Sequence, residues 1–185
     1  TAWLTAYRML FTQSGLRPGD SVLVQGAGGG VATALVVLGR AAGFRVFVTS
    51  RDAAKRQRAL ELGAHEAVEP GARLPQRVDA VMETVGQATW SHSIKSLRPG
   101  GTLVLSGTTS GPQPDNAELR RVFFLQLRIQ GSTMGTREEL RALVDFLDVS
   151  GVRPIVDRTL PLTEARAGFA AVADGDVFGK VVFTV

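Results

Sequence analysis

Ser50, Arg51 and Lys55 place a hydroxyl and two cations close together in the chain, just after an apolar run, Phe47-Val48-Thr49, that reads as a strand. Upstream, a second apolar run, Val22-Leu23-Val24-Gln25, leads into Gly26-Ala27-Gly28-Gly29-Gly30-Val31. After that turn, Val31, Leu35, Leu38 and Ala42 recur at helical spacing. A strand, a tight glycine turn and a helix form a device for holding phosphates. Glycine lets the backbone approach the ligand, and the first helical N–H groups point at it with the positive end of the helix dipole behind them. The end of the next strand is where the adenosine ribose of a bound dinucleotide lies. A carboxylate there would bond the 2′-OH of NAD. This chain has Ser50-Arg51 instead, with Lys55 one turn into the next helix, so a 2′-phosphate is expected and the cofactor reads as NADP(H).

The glycine spacing departs from the strict G-x-G-x-x-G pattern. Counted from Gly26, the third glycine becomes Val31; counted from Ala27, alanines occupy both ends, at Ala27 and Ala32. A contact of small residues between helix and strand, with no ligand, is the competing reading. Methyltransferases use a similar turn but usually carry an acid at the end of the second strand, and Ser50-Arg51 argues against them.

The 185 residues are 44% hydrophobic and 21% charged, an ordinary composition for a globular domain. No apolar run approaches the roughly 20 residues of a membrane span, and no signal-peptide pattern is present, so no membrane role and a cytoplasmic location are expected. Without cysteine, disulfides, thiolate chemistry and a cysteine-based zinc site are excluded within these residues, and no metal site is expected. The net charge of +4 comes from scattered arginines such as Arg17, Arg40, Arg73, Arg98 and Arg153, with no dense basic stripe, which argues against nucleic acid as a partner.

The elements that must position these groups alternate strand and helix, the pattern of a doubly wound α/β parallel sheet. Residues 2–14 read as an opening helix ended by Gly15, with Trp3, Tyr7, Leu10 and Ser14 at helical spacing. Asp52 caps a helix that runs to about Leu62 and stops at Gly63. Ala67-Val68, Val78–Val85, Thr102–Ser106 and Leu127–Ser132 complete six strands, and Arg98-Pro99-Gly100-Gly101 is a turn. Asp115-x-x-Glu118 and Thr136-x-x-Glu139 predict two helix starts, the second helix carrying an apolar stripe at Leu140, Leu143, Val144 and Leu147. Three later elements, Ile155–Leu160, a helix with Ala165, Phe169 and Val172 on one face, and Lys180–Val185, have no place in a six-stranded sheet.

With these landmarks the chain resembles the cofactor-binding half of a medium-chain dehydrogenase/reductase, in the quinone oxidoreductase and zinc-type alcohol dehydrogenase-like group. The matching stretches are Leu4-Thr5-Ala6-Tyr7, Arg17 to Val24, the Gly26–Val31 turn, Lys55, Glu61-Leu62-Gly63-Ala64, Thr84-Val85-Gly86, Leu97 to Gly101, Gly131-Ser132 and Gly179-Lys180. The resemblance implies a Rossmann-fold domain over residues 1–154 and a segment, 155–185, that rejoins a GroES-like domain absent from this sequence. It also implies that Thr84, Val85 and Gly86 lie near the adenosine and central ribose. Ser106, Gly107 and Thr108, with Ser132, Thr133 and Met134, would meet the nicotinamide, and Lys180 would approach the phosphates. In zinc enzymes of the group a ligand cysteine precedes the opening helix; none stands near Thr1, which favours the zinc-independent branch. The implied activity is NADPH-dependent reduction of a quinone or an α,β-unsaturated carbonyl, in a homodimer joined by sheet edges. A zinc-dependent alcohol dehydrogenase and a non-catalytic NADPH-binding module are the alternatives.

No catalytic acid is assigned. Tyr7 shares a face with Trp3 and Leu10 and is expected in the core, His65 reads as structural, and His92 falls off the Trp90/Ile94/Leu97 stripe onto a solvated face. Glu83 ends a strand beside the crevice, where a general base is conceivable and a partly exposed strand end is the simpler expectation. Phe123-Phe124-Leu125 could line a nicotinamide or dimer surface, but aromatic pairs on a helix more often serve the core, which is the expectation here.

Overall fold

A computed structural model describes all residues, Thr1–Val185. Six short strands, β1 (Ser21–Val24), β2 (Arg45–Thr49), β3 (Glu66–Val68), β4 (Val78–Glu83), β5 (Leu97–Leu105) and β6 (Arg128–Gly131), form one sheet in the order β3-β2-β1-β4-β5-β6. Every pairing in it is parallel. Parallel strands need covered faces, which is why β1 is buried at all four positions. Side chains alternate between the faces. Val22, Val24, Val46, Val48, Ala80, Met82 and Val104 belong to one core. Leu23, Phe47, Val81 and Leu103 belong to the other.

The first face is covered by α1 (Ala2–Tyr7), its continuation Arg8–Gln13, α2 (Gly30–Ala41) and, at its margin, α6 (Arg137–Ser150). α4 (Gln87–Ser96) supplies Ile94 to the second face. The opening helix covers the expected span, but its second half is wound as a wider π-helix, and the Ser14 hydroxyl donates to the Leu10 carbonyl at 2.5 Å where the helix ends. α3 (Ala53–Glu61) is capped by Asp52, whose carboxylate accepts from the N–H groups of Ala54 and Lys55. At α6, Thr136 and Glu139 form the predicted capping box.

Several expectations change. The Asp115-x-x-Glu118 pattern starts no helix: α5 (Leu119–Phe124) begins after Glu118, which sits at φ 56 without a side-chain cap. The capping groups are spent elsewhere, Asp115 on the Gln87 amide and Glu118 on the Ser91 hydroxyl and Lys95. The Arg98–Gly101 turn lies within β5. Between the pairs Val78↔Leu97 and Ala80↔Thr102, β4 advances two residues and β5 five, so the turn loops out of the ladder. In α6 only Leu143 of the expected stripe is buried, while Leu140 and Val144 face outward. Phe169 and Val172 are likewise exposed, and Phe123 and Phe124 stack on each other at the surface rather than in the core.

The last three elements stand apart from the main sheet. β7 (Val156–Pro161) and β8 (Lys180–Thr184) form their own two-stranded parallel sheet, with α7 (Ala165–Ala173) between them in sequence. Asp157 anchors the unit. It accepts from the Phe178 N–H at 2.9 Å and from Arg158 at 2.7 Å, and faces Arg58 of α3 at 3.5 Å. Arg58 also lies 4.3 Å above the buried Phe178 ring.

Candidate cofactor crevice

The chain runs outward from β1 through β2 to β3, then returns to place β4 on the other side of β1. That reversal opens a crevice beyond the carboxyl ends of β1 and β4. The glycine turn lies in it. Gly26 and Gly28 take φ +80 and +103, conformations that only glycine adopts without strain. The Gly26 N–H donates to the Thr49 hydroxyl at 3.1 Å and the Ala27 N–H to the Thr49 carbonyl at 2.7 Å, which pins the turn to the end of β2. No side chain caps α2 at Gly29, so its first-turn N–H groups remain available to an anion.

Two lysines close over the turn. A Cβ on Gly28 would lie 2.8 Å from Lys55 Cδ, and one on Gly30 would lie 2.7 Å from Lys180 Cδ. Lys55 donates to the carbonyl of Gly175, and the Gly179 N–H donates to the Gly28 carbonyl at 2.8 Å, so the C-terminal unit is clasped against the turn. Gly28, Gly29, Gly30, Lys55 and Lys180 line a cleft of about 400 Å³ beneath that unit.

Lys55 also borders a second cleft, of about 640 Å³, lined by Gly26, Ala27, Ser50, Arg51 and Val85. Ser50 is nearly buried, and its hydroxyl accepts from the Asp52 N–H at 3.2 Å. The Arg51 guanidinium has no hydrogen-bond or ion-pair partner within the chain; only its carbonyl is used, by Arg56. Asp52 borders this cleft too, but its Oδ1 is occupied by the α3 cap. Thr109 and Ser110 complete the wall, their hydroxyls donating to the carbonyls of Thr84 and Val85. A groove of similar size, about 650 Å³ between residues 71–77 and α4, touches His92 but none of the candidate cofactor residues.

The remaining candidates follow along the sheet. Gly86 (φ +90) leaves no room for a Cβ: Gly111 O would be 2.6 Å away and Thr108 Cα 2.9 Å. Gly107 packs in the same way on Thr84. Ser106 and Ser132 stand side by side, since the Ser106 N–H donates to Glu83 O of β4 and the Ser132 N–H to Leu105 O of β5. The Ser132 hydroxyl is buried without a partner, and Met134 is held at φ 46. Val31 contributes only its N–H, because its side chain packs on the core.

Of the proton-donor candidates, the two histidines are engaged in hydrogen bonds and Tyr7 is held by ring packing alone. Tyr7 packs on Phe11 with ring centroids 4.7 Å apart; burial, with Glu139 and Asp145 nearby, pushes its pKa up. His65 accepts from the Val46 N–H at 3.0 Å and contacts Arg40; burial and the neighbouring arginines hold its pKa down. His92 is not on a solvated face. Its Nε2 donates to the Ala72 carbonyl at 2.9 Å and its Nδ1 faces Gln25 Nε2 at 3.1 Å. Burial lowers its pKa against the opposing pull of Ala72 O and Glu83, leaving it neutral. Glu83, expected at least partly exposed, is fully buried. Its carboxylate accepts from Val85 N–H, Gly86 N–H, Thr89 Oγ1 and Ser93 Oγ, so it is closed to substrate. Gln25 and Thr49, which support the turn, were not among the candidates; the signal for Gln25 is a polar residue inside the apolar run before Gly26.

No group of three or more His, Asp or Glu side chains is assembled for a metal, and there is no cysteine, so these residues do not fit a zinc ion. No helix is long and apolar enough to cross a membrane.

Residues 30–149 match a family described as "Zinc-binding dehydrogenase". A zinc-type alcohol dehydrogenase-like protein of Leptosphaeria maculans is 33% identical over 98% of this chain and 56% of its own length. An acryloyl-coenzyme A reductase of Sulfurisphaera tokodaii is 29% identical over 95% of this chain and 54% of its own. The chain thus spans little more than half of these relatives. Among solved structures, an NAD-dependent alcohol dehydrogenase superposes with a TM-score of 0.90 at 33% identity, covering 100% of this chain and 56% of that one. A mycobacterial protein complexed with NADPH superposes with a TM-score of 0.84 at 26% identity, covering 100% and 63%.

Proposed function

The chain belongs to the zinc-binding dehydrogenase family of medium-chain dehydrogenases/reductases, and from that premise we propose that it binds NADP(H) as the cofactor half of an oxidoreductase acting on a quinone or an α,β-unsaturated carbonyl. The observation that carries the cofactor choice is the unpartnered Arg51 guanidinium beside Ser50 and Lys55, at the end of β2, in a cleft whose one carboxylate, Asp52, spends Oδ1 on a helix cap. A 2′-phosphate satisfies those donors, whereas the bare ribose of NAD leaves Arg51 without a partner. The structural neighbour bound to NADPH is consistent with this choice; the NAD-dependent neighbour differs on it.

The fit extends along the crevice. The glycine turn and the bare N-terminus of α2 suit a pyrophosphate, with Lys55 and Lys180 supplying charge from above. At the other end, the orphaned Ser132 hydroxyl offers a partner to a carboxamide. When bound, the cofactor supplies the hydride. The chain's own contribution is to bind and orient it: Gly86 and Gly107 let the loops after β4 and β5 close on one another. His65 and His92 are committed to internal hydrogen bonds and the Tyr7 ring packs on Phe11, so no proton donor is assigned among these residues.

The substrate class draws its support from the acryloyl-coenzyme A reductase relative, named for an α,β-unsaturated thioester. The full-length protein is expected to oxidise NADPH in the presence of some members of a panel of quinones, enals and enoyl thioesters. Failure with every member overturns the substrate class, and equal kcat/KM with NADH overturns the cofactor.

We also propose a homodimer through β6. This strand is the outer edge of the six-stranded sheet, Ile129 on it is 44% exposed, and the adjacent Phe123–Phe124 stack is exposed at 66% and 64%. An open edge beside an apolar patch is a template for pairing with a second copy.

A further inference from the structure

We propose that Glu83 is a positioning residue for the cofactor, acting through a one-way chain of hydrogen bonds that ends on the Gly26 amide. The proposal rests on the reading that the glycine turn holds a dinucleotide pyrophosphate. Glu83 is fully buried at the end of β4, with no ion-pair partner. Burying an unpaired carboxylate is costly unless hydrogen bonds replace its water, and here they do so from both sides of the crevice.

On one side the contacts are direct. Glu83 Oε1 accepts from the Val85 N–H at 2.8 Å and the Gly86 N–H at 3.0 Å. These residues form the wall opposite the glycine turn, and Val85 Cγ2 would lie 3.1 Å from a Cβ on Gly26. On the other side the contacts pass through three side chains. The Ser93 hydroxyl donates to Glu83 Oε2 at 2.5 Å and accepts from Gln25 Nε2 at 2.9 Å. Gln25 Oε1 accepts from the Thr49 hydroxyl at 2.7 Å, and Thr49 Oγ1 accepts from the Gly26 N–H at 3.1 Å.

The direction of this chain is forced. A hydroxyl has one proton to give, and an amide has distinct donor and acceptor ends. Gly26 can only donate, so Thr49 must pass its proton to Gln25. Gln25 then offers its amino group to Ser93 and to His92 Nδ1, and Ser93 passes its proton to Glu83. His92 fits the same order, because its Nε2–H is fixed by the Ala72 carbonyl and its Nδ1 is left to accept. Glu83 Oε2 terminates the series by accepting the Ser93 proton. With Glu83→Gln, an amino group at the Oε2 position would face the Ser93 and Thr89 hydroxyls. Ser93 would then have to accept from two donors and give its proton to neither. Ser93 would lose the bond to Glu83 that anchors it, would hold Gln25 less firmly, and the slack would reach Gly26 through Thr49 and loosen the turn against the Val85–Gly86 wall.

The turn serves NADPH and NADH alike, so its loosening differs from loss of the 2′-phosphate contact. Glu83→Gln and, because that change risks the fold, Ser93→Ala are titrated with NADPH and NADH in the full-length protein below both variants' melting range. Ser93 is buried and borders neither cleft, so its removal breaks the chain without touching ligand. The expected result for Ser93→Ala is a loss of roughly three- to tenfold for both cofactors with their ratio unchanged, accompanied by a shifted amide resonance for Gly26. For Glu83→Gln a larger common loss is expected. Wild-type affinities in folded Ser93→Ala, with or without a lower melting temperature, would overturn the proposal and leave Glu83 a structural residue. Failure of the wild-type protein to bind either dinucleotide would instead remove the reading on which the proposal stands.

Discussion

Gly28→Ala isolates what the glycine turn does. At φ +103 the backbone is one that side chains with a Cβ adopt at a cost of about 1–2 kcal/mol. The new methyl would lie 2.8 Å from Lys55 Cδ and 3.4 Å from its Cε and Nζ, so the lysine must leave the turn and release the Gly175 carbonyl. Losing that exposed bond adds about 0.5–1 kcal/mol. The expected destabilisation of about 1.5–3 kcal/mol corresponds to a melting temperature lower by about 3–12 °C in a domain of this size. Affinity falls separately, because displacing Lys55 withdraws a cation from both clefts. One charge-assisted contact is worth about 1.5–3 kcal/mol, or a ten- to hundredfold weaker Kd for NADPH. Gly29→Ala is the control. Gly29 has an ordinary φ of −69 and open space where a Cβ would go, so stability should change by less than about 1 kcal/mol. Differential scanning fluorimetry and NADPH titration of both variants read the two effects. Wild-type melting and affinity in Gly28→Ala would refute the reasoning, and an equal loss of stability in Gly29→Ala would show that neither φ nor Lys55 is its source.

Other expectations follow from the same geometry. Burial pushes the Asp157 pKa up, but the Phe178 N–H, Arg158 and Arg58 outweigh it and hold the carboxyl below its usual value. Its stabilising effect is therefore present above the unfolded value near 4 and lost as pH falls through the lower folded value. Asp157→Asn should lower the melting temperature at pH 7 by a few degrees, about 1–2 kcal/mol, with the two curves converging below about pH 4; a constant gap down to pH 3 would contradict this. Sedimentation at micromolar concentration should show a dimer that Ile129→Lys dissociates, because a charge on the outer edge opposes strand pairing. A wild-type mass that stays monomeric as concentration rises would defeat the β6 interface. The 185-residue chain alone should bind NADPH without turning over any quinone or enal, and steady turnover would mean the active site lies within it.

Much of the sheet could be read from the sequence, because parallel strands buried on both faces must be nearly continuous apolar runs, as Val22–Val24 and Val46–Val48 are. Local signals also carried where the partner lies a few residues away, as in the Asp52 cap and the Thr136–Glu139 box. The same kind of signal misled at Asp115–Glu118, whose side chains are claimed by α4. The partners of Glu83, His92 and Gln25 were illegible for a related reason. Gln25 meets Ser93 across 68 positions of sequence, and no spacing rule reports such a contact. Lys55 is half legible: its charge beside the end of β2 is visible locally, its bond to Gly175 across 120 positions is not. The outward faces of Phe123 and Phe124 were misread, and the exposure of Leu140 and Val144 was illegible, because periodicity identifies an apolar stripe without saying what covers it.

The cleft at Ser50, Arg51 and Lys55 is proposed to receive an adenosine 2′-phosphate. Fluorescence titration of the wild-type protein and Arg51→Ala with NADPH and NADH tests it most directly. Arg51 donates no hydrogen bond to the rest of the chain, so its removal should leave the melting temperature unchanged. Wild type should bind NADPH at least about tenfold tighter than NADH, and Arg51→Ala should erase most of that preference while leaving NADH affinity as it was. Equal wild-type affinities for the two cofactors, or an undiminished preference in Arg51→Ala, would contradict it.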